Sequence, residues 1–101
     1  MSKSKEKVLD ILNRKEEFEI DSIERWLQAK IVLQFILLRE QKQLSQARIA
    51  EKMNVKRQQI SKFENMENSP TIHFLVKYAY ILETELDVLL KGVFLLDVGI
   101  K

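Results

Sequence analysis

Arg57, Gln58, Ser61 and Lys62 recur at helical spacing, with Lys56 and Gln59 at the margins and no acidic residue before Glu64. Arginine and glutamine can each place two hydrogen bonds on one planar edge, such as guanine or adenine offers in a major groove. Lysine can reach guanine or a phosphate oxygen. A face that is merely solvated usually mixes charge signs, and this one carries only cations and neutral polar groups. The arrangement requires Ile60 and Phe63 to point the opposite way, into a core, so residues 57–65 are expected to be a helix with one wet face.

A neighbouring element must hold that helix. Ser45 can cap a helix running from Gln46 to near Met53 by offering its oxygen to free backbone N–H groups, and Asn54 can take the left-handed turn conformation at low cost. Two short helices that meet at a steep angle need a small residue at the crossing and apolar neighbours around it. Ala50 is the small residue, and Ile49, Met53, Val55, Ile60 and Phe63 are the neighbours.

Around this pair, Val8, Leu9, Ile11 and Leu12 predict a short amphipathic helix over residues 5–15. Asp21 or Ser22 can open a longer one that continues to about Lys42. Its stripe of Ile23, Trp26, Leu27, Ile31, Leu33, Phe35, Ile36 and Leu38 widens almost to all sides over residues 31–38, which marks the central helix of the core. Residues 65–70 read as a loop, and Thr71 caps a helix with Ile72, Leu75, Val76, Ala79 and Leu82 on its apolar face. Thr84 caps a last helix through Leu86, Leu89 and Leu90, stopping at Lys91 and Gly92. Residues 93–98, VFLLDV between Gly92 and Gly99, read as a short strand or extended arm. It either packs on the helices or pairs with another chain.

The fold class is therefore all-α, a compact bundle of about six helices with a short C-terminal extended strand. Two glycines and one proline, all beyond residue 69, leave few places to break a helix. With 101 residues the chain makes one domain that buries about two-thirds of its unfolded surface. The absence of cysteine excludes disulfides and thiolate metal sites, and the lone His73 excludes a histidine-rich one; no metal or cofactor is expected. Glu16 and Glu17 are adjacent carboxylates without a nucleophile, a glycine-rich loop or a basic clamp, so no enzyme is expected. The longest uncharged apolar run, residues 31–38, is too short to span a bilayer, and the start MSKSKEK does not resemble a signal peptide. A cytoplasmic location is the expectation. Charge is unevenly placed: residues 1–38 carry seven basic and seven acidic groups, residues 39–62 seven and two, and residues 63–101 three and six. A basic centre between neutral and acidic flanks suits a polyanion at one place on the surface.

Residues 44–65, LSQARIAEKMNVKRQQISKFEN, resemble the Cro/C1-type (Xre) helix-turn-helix family of phage repressors. The likeness extends over about residues 30–90, through the Asn-Ser-Pro-Thr loop and the two helices after it. It implies a lambda-repressor-like bundle in three parts: an N-terminal helical extension (1–27), a DNA-binding domain (28–91) and a C-terminal arm or strand (92–101). It implies base reading by Arg57, Gln58, Gln59, Ser61 and Lys62, and phosphate contacts from Ser45, Gln46, Arg48, Lys52 and Lys56. It also implies a structural ion pair of Arg39 with Glu64 that ties the central helix to the end of the recognition helix. Two departures stand out. Asn54 replaces the turn glycine, and the loop after the recognition helix, often rich in lysine or arginine, here carries Glu67.

The expected function is a sequence-specific regulator of transcription on double-stranded DNA, acting as a dimeric repressor on two half-sites about one helical turn apart. One small module cannot by itself outcompete genomic non-specific sites. The subunit contact would be residues 93–98 or the helices around residues 86–90. The alternative is an antitoxin, similar to HigA-like antitoxins, whose residues 1–27 either wrap a toxin protein or enlarge the core around Trp26. A third reading keeps the fold for protein contacts alone. DNA, a second copy and, under the alternative, a toxin are the expected partners, with no membrane.

Overall fold

In the computed structural model the described residues are 3–13 and 20–95, and they form six α-helices. These are α1 (Lys3–Asn13), α2 (Ile20–Gln41), α3 (Gln46–Met53), α4 (Arg57–Glu64), α5 (Ile72–Ile81) and α6 (Leu86–Leu95). α2 is the central element and packs against α1, α4 and α6. Val32, Leu33, Phe35 and Ile36 are buried on its several sides, as a stripe that widens to all faces requires. α1 buries Ser4, Val8 and Leu12, one row at four-residue spacing, against α2 and α4. α3 packs on α4 and α5, and α5 on α6. Phe35, Phe63, Phe74 and Tyr78 join α2, α4 and α5, with Phe35 edge-on to Phe63 at 5.4 Å between ring centroids. Trp26 is only half-buried, and the Lys30 ammonium lies 4.5 Å from its ring centroid.

Four helices end in the same way. Gln43, Asn54, Met66 and Glu83 have φ between 57 and 63° and follow α2, α3, α4 and α5. In each case the next residue returns its N–H to a carbonyl five residues back: Leu44 to Arg39, Val55 to Ala50, Glu67 to Lys62 and Thr84 to Ala79. This is the Schellman closure, for which glycine is the usual left-handed residue. Here none of the four is glycine, so the chain turns sharply without the residues that normally announce a turn.

Three expectations are corrected. α6 does not stop at Gly92 but continues to Leu95, so residues 93–95 are helical and no strand occurs among the described residues. The rest of the expected arm, residues 96–98, lies outside them. Gly92 faces α2: a Cβ at this position would lie 2.5 Å from Gln34 Nε2, the end of a flexible side chain that would have to move. On α5 the buried row is Leu75, Tyr78 and Ala79, continued by Leu82, whereas Ile72 and Val76 face outward. Thr84 belongs to the turn after α5, and Glu85 precedes α6, its carbonyl accepting from Leu89 N.

Candidate nucleic-acid interface

The helix pair is built as its residues dictate. Ser45 sits in extended backbone, and its Oγ accepts from Arg48 N at 3.0 Å, capping α3. Asn54 takes φ 57°, ψ 46° and turns the chain into α4. Ile49, Ala50 and Met53 of α3 face Ile60 and Phe63 of α4 inside the core. With Ile60 and Phe63 inward, Arg57, Gln58, Gln59 and Lys62 are exposed on the opposite side, and Ser61 is half-buried. Gln59 Oε1 accepts from Lys56 N at 3.1 Å, which caps the start of α4 and leaves both amide hydrogens of Gln59 for other partners.

Behind this face, the Glu64 carboxylate is fully buried and fully engaged. Its Oε2 accepts from Arg39 Nε at 2.8 Å and Tyr78 Oη at 3.0 Å. Its Oε1 accepts from Arg39 Nη2 at 2.9 Å and Gln46 Nε2 at 2.9 Å. The third guanidinium nitrogen, Arg39 Nη1, donates to the Leu44 carbonyl at 2.8 Å. Burial alone would lower the Arg39 guanidinium, but the hydrogen bonds and charge of Glu64 outweigh it and leave it raised. Burial, reinforced by the Glu64 charge, pushes the Tyr78 hydroxyl far up, so it stays protonated and donating.

Gln46 carries this network to the surface. While its Nε2 donates inward to Glu64, its Oε1 accepts from Arg57 Nη1 at 3.2 Å. Arg39, Glu64, Gln46 and Arg57 thus form one hydrogen-bonded series from core to the first residue of α4. Of the other proposed phosphate contacts, Ser45 has its oxygen in the cap but keeps its hydroxyl proton, and Lys52 and Lys56 are exposed. Arg48 is ion-paired with Glu51 one turn along α3.

The loop after α4 is fastened from the N-terminal side of the chain. Ser4 Oγ lies 3.0 Å from Asn65 Oδ1, and Gln28 Nε2 donates to the Asn68 carbonyl at 2.7 Å. Sequence reasoning did not find Tyr78, Asn65 or Ser4. Tyr78 carried a signal, a polar tip three residues after Leu75 on an otherwise apolar row. Ser4 carried none, because its partner is 61 residues away.

Two short helices joined by a left-handed turn, the second with an exposed basic and amide-rich face and an apolar reverse, define a helix-turn-helix module. A family model described as helix-turn-helix matches residues 36–89, just over half of the chain, and the chain belongs to this Cro/C1-type family. It is a DNA-binding helix-turn-helix regulator. No match was found among curated proteins or among solved structures. No helix among the described residues is long and apolar enough to cross a membrane.

Proposed function

We propose that the protein is a dimeric repressor that reads a specific duplex sequence with α4. The observation that carries this is the acid-free exposed row of Arg57, Gln58 and Lys62 on a helix whose reverse face is sealed in the core. Arg57, Gln58, Ser61 and Lys62 address base edges, with the Gln59 amide at the margin. Ser45, Gln46, Lys52 and Lys56 contact phosphates, and Arg48 can join them by exchanging Glu51 for a phosphate. Replacing Gln58 by Ala is expected to cost about 1–3 kcal/mol on the preferred duplex and little on random DNA. Lys52→Ala or Lys62→Ala should also reduce the salt dependence. Equal losses on both duplexes for Gln58→Ala would remove the base-reading role.

A second copy is best placed on α5. Leu89 is buried and Leu86 and Leu90 pack on the core, so that part of α6 has little to offer. Ile72, Val76 and Tyr80 instead form an outward row at four-residue spacing, 70% exposed at Ile72 and 78% at Tyr80, and half-exposed Val88 extends it from α6. Such a contiguous apolar row marks an interface.

The antitoxin reading has one observation in its favour. Ile23 and Leu27, both half-exposed, form an apolar step on the part of α2 that lies outside residues 36–89. Isolation of the tagged chain with a small protein partner that is lost on Leu27→Glu would support it. The alternative fails if the chain is recovered without a protein partner from cells that express its neighbouring genes.

A further inference from the structure

The side chain of Asn65, at the end of α4, is held in one orientation. Its Nδ2 donates to the Ser61 carbonyl at 2.9 Å and to Ser61 Oγ at 3.2 Å. A carbonyl can only accept, so the amide nitrogen must face Ser61 and the amide oxygen must face away. That oxygen meets Ser4 Oγ on α1 at 3.0 Å and, being an acceptor too, obliges Ser4 to donate. The polarity therefore runs one way, from Ser4 through Asn65 to Ser61. Ser61 Oγ enters this series as an acceptor, and its own proton has no acceptor among the described residues. Ser61 follows Gln58 by three residues and Arg57 by four, so it continues the row they begin.

We propose that Ser4 is a positioning residue: by holding the Asn65 amide oxygen it helps keep the Ser61 hydroxyl placed toward DNA. Ser61 Oγ gives one lone pair to Asn65 and keeps its proton and its second lone pair, so it can donate to guanine, adenine N7 or thymine O4 or accept from an exocyclic amino group, and its loss is read as weaker discrimination at one base position. This deepens the reading of α4 as the base-reading helix and rests on it. α1 is seated firmly enough to act in this way. Ser4 is buried in one row with Val8 and Leu12, and Lys5 pairs with Glu40 at 2.8 Å. All of α1 lies outside the matched residues 36–89, so the donor comes from a part of the chain the family domain does not include.

The test is selection of preferred duplexes from a random-sequence pool by the full chain, its folding checked by thermal melting, with Ser4→Ala, Ser4→Thr, Ser61→Ala and the Ser4→Ala/Ser61→Ala pair alongside. Ser61→Ala should lose discrimination at one base position by about three- to tenfold, the worth of one hydrogen bond. Ser4→Ala should lose it at the same position with affinity for random duplex unchanged, Ser4→Thr should keep it, and the pair should be no worse than Ser61→Ala alone. An unchanged profile for Ser4→Ala, or an equal loss on every duplex, overturns the role of Ser4 while leaving α4 as the reader. If Ser4→Ala does not fold, loss of the preference in folded Ser4→Thr, or no preference removed by Ser61→Ala, overturns it instead. A native chain that selects no sequence at all overturns the base-reading assignment itself.

Discussion

Replacing Glu64 by Gln tests whether the buried carboxylate holds the interface together. The change keeps shape and removes one charge and one acceptor oxygen. Glu64 accepts four hydrogen bonds, two at each oxygen, so an amide NH2 must confront two donors whichever way it turns. Turned toward Tyr78 and Arg39 Nε it does least harm, because the tyrosine hydroxyl can rotate to accept, but one Arg39 N–H is still left without a partner. More important, the Arg39 guanidinium, with a side chain 9% exposed, becomes a buried cation with no counter-charge. Breaking a buried pair from one side costs about 3–5 kcal/mol. That is a large part of the roughly 5–15 kcal/mol that holds such a domain together. At about 4–8 °C per kcal/mol for a domain of this size, the melting temperature should fall by at least about 12 °C. Urea titration followed by circular dichroism measures the loss directly. Arg39→Met/Glu64→Leu/Tyr78→Phe should recover most of it, since an apolar replacement leaves no orphaned charge. A loss below about 1 kcal/mol for Glu64→Gln would mean that water already serves the guanidinium, and the reasoning would fail.

Further outcomes follow from other residues. Gln43 and Glu83 are exposed and left-handed, so Gln43→Gly and Glu83→Gly should each stabilise the fold by about 0.5–1 kcal/mol in urea titration, against the usual penalty for glycine. A loss of stability in both would show that the positive φ carries no strain. Tyr78 keeps its proton in the folded state above the ordinary tyrosine value of 10.0, because of burial and then the Glu64 charge. The fold therefore has its full Tyr78 contribution below that pH and loses it as pH rises, by about 1.4 kcal/mol per unit. In Tyr80→Phe, where Tyr78 is the remaining phenol, phenolate absorbance should appear only as the protein unfolds; ionisation in the native fold near 10.0 would refute this. Tyr80→Lys should shift sedimentation toward monomer and weaken binding to a two-half-site duplex more than to a single half-site, and an unchanged dimer would place the contact elsewhere.

Local chemistry made the helix pair legible. Ser45, Ala50, Asn54 and the alternation of Ile60 and Phe63 with polar residues each constrain a neighbour a few positions away, and such constraints are written in the sequence itself. α5 was harder, because Ile72, Leu75, Val76, Ala79 and Leu82 span two adjacent rows of one helix. The row that is buried is the one that contains Tyr78, whose hydroxyl finds its acceptor on Glu64 of another helix. Gly92 reads locally as a stop, yet α6 runs through it to Leu95, with the Gln34 side chain, 58 positions earlier, lying beside it. Ser4, in a lysine-rich start, has its partner 61 positions away. These positions were hard to read because their surroundings come from distant parts of the chain rather than from their own turn of helix.

That division bears on how α4 can read a duplex. An eight-residue helix is far too short to be stable alone, so its orientation is set by what grips it. Ile60 and Phe63 fix its depth in the core. Its first turn is held through Gln46 to Arg57 and through Gln59 to the Lys56 N–H. Its last turn is held by Arg39 on Glu64 and by the Ser4–Asn65 contact, the latter from an element outside the family match. Base edges discriminate only when donors and acceptors are placed to within about half an ångström, whereas phosphate attraction tolerates looser placement. Loosening either end, in variants that remain folded, should therefore reduce affinity for the preferred duplex more than affinity for random DNA. Equal loss on both would mean that these grips stabilise the helix without aiming it.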